Sequence, residues 1–232
     1  MASLLEQGIQ NFENENFQKA IKLFEKILKS DPDNSEAIIN KTSCLAELGK
    51  YNEAIEKLEI FLKKNPNDFV ALYNKGTTLY DMDQHEEALD TFDTALKIDP
   101  KNSQALCNKA NVLVALGRHD DAIRVYNRAL QVEPRDVEIL NNIGIVYNGQ
   151  KDYDKSLEYH SRSLTLNEEL GDKSSIAMNF WNIGNIFRQR GETEKAFDYL
   201  KRSLAINEEI GNKTATSNTL RGLALIYKDK GN

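Results

Sequence analysis

Apolar residues recur along this chain at steps of three and four positions, which places them on one face of an α-helix. The run of Ala20, Ile21, Phe24, Ile27 and Leu28 shows this spacing clearly. One pair of such helices cannot bury its apolar face alone, so successive pairs are expected to stack. The pattern therefore predicts an all-α chain of short helices paired antiparallel.

The helical pattern repeats with a fixed period. All four prolines, Pro32, Pro66, Pro100 and Pro134, lie 34 residues apart. Proline biases the residue before it away from the helical conformation, so each one opens a short connection after a helix. Small residues, expected where the second helix of a pair approaches the first closely, recur at the same interval: Ala20, Ala54, Ala88, Ala122 and Ser156.

The period lengthens near the C-terminus. There the second helix continues through the segments LTLNEEL and LAINEEI to Gly171 and Gly211, which can adopt the left-handed conformation that ends a helix. Ser174 and Thr214 are then the expected caps of the next helices. The predicted repeats are 1–34, 35–68, 69–102, 103–136, 137–176 and 177–216, followed by a half repeat at 217–232.

Several positions in phase with this period resemble the tetratricopeptide repeat. The eighth position carries Gly8, Gly76, Gly144 and Gly184, the fifteenth carries Gly49, Gly117, Gly191 and Gly231, and the twenty-fourth carries Phe24, Phe92 and Tyr126. The stretches around Lys41, Lys75 and Lys109 are similar to repeats of archaeal and bacterial proteins. The resemblance implies an α-α superhelix of about six helical hairpins plus one terminal helix, forming a single solenoid over 1–232.

Composition narrows the classes of partner. The formal net charge is -6, whereas binding to nucleic acid or to a membrane surface needs an excess of Lys and Arg. No cationic leader precedes an apolar run at the N-terminus, so no secretory signal is expected, and no segment reaches membrane-spanning length. The two isolated cysteines match no zinc, redox or disulfide spacing, so a cytoplasmic protein is expected. Cys44 and Cys107 are far apart, which predicts buried or half-buried free thiols in a reducing compartment.

The sequence lacks the residue patterns of an enzyme, and no cofactor or metal is predicted. No phosphate-binding glycine loop, paired nucleophile and base, or metal-ligand spacing is present. His85 and His119 occupy a turn position that carries aromatic residues in other repeats. His160 takes the aromatic twenty-fourth position, which predicts a partly buried histidine with its hydrogen bonds satisfied.

The resemblance implies that the first helix of each repeat lines a concave face where a partner peptide binds. The sixth position of these helices carries Asn40, Asn74, Asn108, Asn142 and Asn182, with Asn111 and Asn185 at the ninth and Asn141 at the fifth. Two interpretations stand side by side. The amides could bind a peptide backbone, as in the asparagine ladder of O-GlcNAc transferase, or they could link neighbouring helices by hydrogen bonds.

Charge along this face is uneven. The N-terminal part carries Glu6, Glu13, Glu36, Glu47 and Asp81, and the C-terminal part carries Trp181, Arg188, Arg221 and Lys228. We therefore expect an acidic peptide over the last repeats, with its carboxylates on the two arginines. The alternative is solvated charge on an empty face. Trp181 serves either as its anchor or as a core residue. The predicted peptide-binding residues are Asn74, Asn108, Asn111, Asn142, Trp181, Asn182, Asn185, Arg188 and Arg221.

These features predict a protein-protein interaction scaffold or adaptor that binds a peptide or a partner protein. Two alternatives stay open. The last helix carries Leu220, Leu223, Leu225, Ile226 and Tyr227, which is apolar for a terminal element and favours a homo-oligomer formed through that end. The chain could also be a regulatory fragment of a larger protein.

Overall fold

The computed structural model describes residues 2–229, and every regular element within that range is an α-helix. Gly231 and the last residues of the predicted half repeat lie outside it. The helices of the described range are α1 Leu4–Glu13, α2 Phe17–Ser30, α3 Ser35–Glu47, α4 Tyr51–Lys64, α5 Phe69–Asp81, α6 His85–Ile98, α7 Ser103–Ala115, α8 His119–Val132, α9 Val137–Gly149, α10 Tyr153–Leu170, α11 Lys173–Gln189, α12 Thr193–Glu209 and α13 Lys213–Asp229.

The helices form hairpins that stack within two compact units, residues 1–132 (unit 1) and residues 133–232 (unit 2). We call the first helix of a hairpin the leading helix and the second the trailing helix. Inside each unit every helix packs on the helix before it and the helix after it. The predicted all-α fold of stacked helical hairpins is confirmed, whereas one solenoid over 1–232 stays a prediction.

Helix ends follow the residues that the sequence places there. In unit 1 the trailing helices stop just before each proline, and the next leading helix is capped by Asn34, Asp68 or Asn102. In unit 2 the trailing helices are longer, as predicted, and Gly171 ends α10 with a φ of 70°. These local stops divide the chain into hairpins.

The two predicted caps in unit 2 are wrong. Ser174 and Thr214 lie inside α11 and α13, and the capping residues stand two positions earlier. Asp172 accepts a hydrogen bond from the backbone N–H of Ser175 at 3.1 Å, and Asn212 accepts one from Ala215 at 3.0 Å. Because Asp and Asn cap at least as well as Ser and Thr, the helices begin at the earlier residue.

The turn inside each hairpin needs a left-handed residue at the fifteenth repeat position. Gly117 and Gly191 have φ values of 72° and 77° there. Three residues that are not glycine hold the same conformation, Glu15 at 59°, Asp83 at 58° and Lys151 at 61°. The turn geometry is therefore kept even where the sequence does not supply the residue that adopts it without strain.

In the hairpins that carry a glycine at the eighth repeat position, the leading and trailing helices cross at that glycine. A Cβ atom at Gly76 would lie 2.9 Å from the ring of Phe92, and one at Gly144 would lie 2.8 Å from the ring of His160. Ser156 donates a hydrogen bond to the backbone oxygen of Gly144 at 2.7 Å. It is one of the small residues that recur along the chain, all of which are fully buried: Ala20, Ala54, Ala88, Ala122 and Ser156. The repeat glycines and small residues thus permit the close crossing that the sequence predicts.

Successive hairpins of unit 1 are joined by a recurring ion pair. Lys41 contacts Glu25 at 2.9 Å, Lys75 contacts Glu59 at 2.8 Å, and Lys109 pairs with Asp93 in the same way. At the junction of the first two hairpins of unit 2, the same position carries the buried residue Ile183. The two units therefore use different chemistry at the junctions between hairpins.

Both cysteines are buried free thiols, as predicted. Burial raises the pKa of Cys44 to about 11, so its thiol stays protonated at neutral pH. Cys44 is 0% exposed and packs with Ala20, Phe24 and Ala37. It is a core residue of unit 1.

Candidate functional site

Most of the asparagine row links neighbouring leading helices. The side-chain nitrogen of Asn74 donates to Ser43 Oγ at 3.1 Å, that of Asn108 to Tyr73 Oη at 2.9 Å, and that of Asn182 to Asn141 Oδ1 at 3.1 Å. Each bond reaches back to the preceding leading helix. Of the two interpretations of the row, the structure therefore supports the structural one for these amides.

The remaining predicted amides differ from one another. Asn111 accepts a hydrogen bond from the Tyr126 hydroxyl, which ties it to the trailing helix of its own hairpin. Asn185 donates to the backbone oxygen of Trp181 at 2.9 Å, within the same helix. Asn142 is half-buried on α9. The row is thus not one uniform ladder.

Five of the predicted residues line one cavity of about 360 Å³ in unit 2, which we call the first cavity. Its walls come from the leading helices α9, α11 and α13, with His160 contributed by α10. The predicted residues in it are Trp181, Asn182, Asn185, Arg188 and Arg221. Asn142 is not part of its lining, and Asn74, Asn108 and Asn111 belong to unit 1.

The first cavity carries positive charge. Arg188 and Arg221 line it together with amides and apolar side chains, and none of its lining residues is acidic. Arg221 is exposed and makes no hydrogen bond or ion pair to any described residue. Trp181 is 37% exposed, so it is a surface residue of the cavity and not a core residue. This surface favours an anionic ligand.

Two polar groups in the lining of this cavity were not predicted from the sequence. Asn148 Oδ1 and His160 Nδ1 are buried without a hydrogen-bond partner among the described residues. The prediction of a partly buried, satisfied histidine is wrong, because His160 is 1% exposed and packs on Gly144. Burial lowers the pKa of His160 to about 4, which keeps the ring neutral.

Unit 1 contains a cavity of about 260 Å³ whose charged lining residues are acidic. Glu47, Asp81 and Asn74 line it together with Tyr51 and Tyr73. Burial raises the pKa of Asp81 above its ordinary value. The acidic and basic parts of the predicted face thus contribute to separate cavities, one within each unit.

Neither a metal site nor a membrane span emerges from the described residues. Between residues 2 and 229, no group of three or more His, Cys, Asp and Glu side chains is placed to hold a metal ion. No helix in that part of the chain combines the length and the apolar character needed to cross a bilayer.

Stacked helical hairpins with a cavity on the leading helices define a helical-repeat interaction scaffold. The model of the tetratricopeptide repeat family matches residues 67–133, 136–209 and 174–232, together more than half of the chain. The chain belongs to the tetratricopeptide repeat family. Residues 13–95 also match the model described as anaphase-promoting complex, cyclosome, subunit 3. A comparison with curated proteins found no match.

Solved structures share this fold. A crystal structure of MamA is 26% identical with a TM-score of 0.63, covering 71% of this chain and 96% of its own. MamA from Desulfovibrio magneticus RS-1, residue 41 to the end, is 19% identical with a TM-score of 0.66. The match covers 82% of this chain and 96% of the MamA chain. YrrB, described as a TPR protein with an unusual peptide-binding site, is 20% identical with a TM-score of 0.63. The match covers 85% of this chain and 97% of the YrrB chain.

Proposed function

We propose that this interaction scaffold binds an extended acidic segment of a partner protein in the first cavity of unit 2. The observation that carries the proposal is the lining itself, which contains Arg188 and Arg221 and no acidic residue, with Arg221 exposed. Guanidinium groups bind carboxylates through paired, charge-assisted hydrogen bonds. An acidic segment would neutralise the charge that the cavity leaves exposed.

The neutral residues of the cavity supply the rest of the binding surface. Trp181 offers a large, partly exposed ring, and such rings commonly provide much of the free energy of an interface. Asn182 uses its nitrogen to reach Asn141, which leaves its side-chain oxygen to accept a backbone N–H of the bound segment. Asn142, the other amide that the sequence predicts to hold the peptide backbone, lies on α9 outside the lining of the first cavity and is not part of this proposal.

The peptide-binding description of YrrB belongs to that protein. At 20% identity the likeness supports the fold alone, so the proposed ligand rests on the charge and shape of the first cavity. Proteins of this family are typically scaffolds without catalytic activity. An adaptor role and a cytoplasmic location belong to the same proposal.

Removing the two cavity arginines tests the proposal. Fluorescently labelled acidic peptides, captured from an array by the wild-type protein, are titrated by anisotropy against the double variant Arg188→Ala/Arg221→Ala. We expect binding to weaken by about tenfold or more, because each guanidinium–carboxylate pair with the peptide contributes roughly 1 kcal/mol or more. Helical circular dichroism checks that the variant remains folded.

The matched control removes two cations that lie outside the cavity. Arg162 on α10 and Lys201 on α12 are exposed and line neither the first cavity nor its neighbours. The Arg162→Ala/Lys201→Ala variant has the same net charge as the test variant and should bind like the wild type. Equal losses in both double variants, or equal binding of basic peptides, would contradict the proposal.

Self-association is a second candidate function, favoured by α13. Leu220 is 48% exposed and Tyr227 is 51% exposed on that helix. Leu223 and Ile226 belong to the same apolar pattern of the last helix, but they are buried against Ala196 and Leu200. The surface that could meet a second copy is therefore the Leu220 and Tyr227 side of α13. A role as a regulatory fragment of a larger protein has no structural observation that favours it.

A further inference from the structure

A second cavity of about 280 Å³ lies between α11, α12 and α13. It shares Trp181 and Asn218 with the first cavity, so one extended segment could enter both. Ser203, Asn207 and Thr219 are buried polar residues in its lining, and its remaining residues are uncharged. The second cavity therefore suits a neutral side chain that has a polar end.

The preceding repeat shows what occupies the corresponding place there. Asn167 donates its side-chain nitrogen to Asn179 Oδ1 at 2.7 Å, and Asn179 donates in turn to Ser163 Oγ at 3.2 Å. All three residues are buried. The carboxamide of Asn179 thus sits between an asparagine and a serine of the trailing helix and satisfies both.

One residue of this arrangement changes in the next repeat. Forty positions on, Asn167 and Ser163 correspond to Asn207 and Ser203, but Asn179 corresponds to Thr219. Thr219 donates to the backbone oxygen of Ala215 at 2.8 Å on its own helix, and its hydroxyl lies 3.4 Å from Ser203 Oγ, which itself donates to the backbone oxygen of Ala177. Asn207 now donates directly to Ser203 Oγ at 3.3 Å, which is a long hydrogen bond. No carboxamide lies between them, and the second cavity is lined by these three residues.

We propose that the second cavity binds the carboxamide side chain of a glutamine or asparagine in the partner segment. Its oxygen would accept from the side-chain nitrogen of Asn207, and its nitrogen would donate to Ser203 Oγ, as Asn179 does one repeat earlier. The exposed side chains of Met178 and Trp181 would pack on its methylene groups. This inference rests on the proposed function, because the same segment would place its carboxylates in the first cavity.

The lining also predicts which side chains bind poorly. A glutamate or lysine would be buried in this cavity without an opposite charge, which is unfavourable. A methionine has a similar length but cannot donate or accept the two hydrogen bonds. We therefore expect glutamine to be preferred over methionine by about tenfold, the effect of roughly one to two net hydrogen bonds.

The test compares the binding of paired peptides and uses a substitution that fills the second cavity with a side chain of the protein itself. The probes are acidic peptides that carry one glutamine, each paired with a version in which methionine replaces it. Trp181 is the only tryptophan of the chain and lines both cavities, so its fluorescence reports binding. Thr219→Asn restores the internal carboxamide and should abolish the preference for glutamine, while acidic peptides with methionine bind as they do to the wild type.

Two further variants keep the test decisive. Thr165→Asn makes the same substitution at an exposed site on α10 and should retain the preference. If Thr219→Asn does not fold, Ala215→Leu fills the same cavity from another wall. Equal binding of the glutamine and methionine peptides to the wild type, with dependence on Arg188 and Arg221 intact, would overturn this inference and leave the proposed function standing.

A second probe tests the cavity apart from the acidic segment. N-acetylglutamine N-methylamide is titrated by nuclear magnetic resonance, with the corresponding norleucine compound for comparison. Shifts of the Asn207 side-chain amide with the glutamine compound only, lost in Thr219→Asn, would support the cavity even if no acidic peptide binds. Identical responses to the two compounds would overturn it.

Discussion

At the residue scale, His160 occupies the position at which other repeats pack an aromatic ring on a glycine. Its ring lies against Gly144, as Phe92 lies against Gly76. Because burial holds the pKa of His160 near 4, the folded protein keeps the ring neutral, whereas the unfolded chain takes up a proton near the ordinary value of 6.5. Its contribution to stability is therefore present above pH 6.5 and is lost as the pH falls toward 4.

Replacing His160 with phenylalanine should remove this pH dependence. The variant is expected to fold, since Phe24 and Phe92 fill the same position, and its free energy of unfolding should fall less between pH 6.5 and 4. The difference from the wild type should reach roughly 3 kcal/mol at the lower pH. Urea denaturation across this pH range measures it, and parallel curves for the two proteins would show that His160 is not the group responsible.

The hydrogen-bond partners of individual side chains could not be predicted from the sequence. The position of Asn74, Asn108 and Asn182 on the leading helices followed from their spacing. Their hydrogen-bond partners did not, because Ser43, Tyr73 and Asn141 lie one repeat earlier and depend on how far neighbouring helices are offset. The unpartnered nitrogen of His160 was missed for the same reason, since burial is a property of its neighbours.

At the scale of the element, the turn within each hairpin imposes one backbone conformation. Lys151 holds a φ of 61° at the position where Gly191 holds 77° in the next repeat. Left-handed conformation costs a residue with a Cβ atom about 1 kcal/mol relative to glycine. Side-chain contacts do not complicate the comparison at Gly191, where a Cβ would meet nothing within 4 Å.

A reciprocal pair of substitutions tests this cost. Lys151→Gly should stabilise the protein by about 0.5 to 1 kcal/mol, and Gly191→Lys should destabilise it by a similar amount. Thermal or urea denaturation followed by circular dichroism measures both. Changes of the same sign in the two variants would mean that contacts of the lysine, and not the backbone, decide stability at this turn.

Helices and hairpins were predictable because their limits are local. Proline, glycine and the spacing of apolar residues act within a few positions, so the order of hairpins followed from sequence. The second cavity did not, because it depends on Thr219 standing where the previous repeat has Asn179. That difference has a meaning only once the hydrogen bonds of Asn167 and Ser163 are known.

At the scale of the whole molecule, the open question between peptide binding and self-association can be resolved in solution. If Leu220 and Tyr227 meet a second copy, the mass measured by light scattering should rise with protein concentration. Leu220→Glu should then keep the protein monomeric, because it places a charge in the contact. Ile60→Glu, at a site that is 50% exposed on α4 of unit 1, is the matched control and should behave like the wild type.

A wild-type mass that does not change with concentration would contradict self-association. Leu223→Glu would not serve in this experiment, since Leu223 is 8% exposed and packs on Ala196, Leu200 and Ile226. Its replacement would disrupt the core of unit 2. The structure therefore distinguishes the contact residues of α13 from the buried ones, which the apolar pattern alone treated as one group.

The recurring ion pair of unit 1 bears on how such a chain can grow in evolution. Since Lys41, Lys75 and Lys109 each meet an acidic residue of the preceding hairpin, duplication or deletion of residues 35–68 or 69–102 would again bring a lysine against an acidic residue at each new junction. Replacement of such a lysine by isoleucine, the residue at the same position in α11, would leave that carboxylate without its partner. Such a duplication or deletion keeps the ion pair in place, but the pair itself changes stability little, because the acidic partners are about half exposed and exposed ion pairs contribute roughly 1 kcal/mol or less.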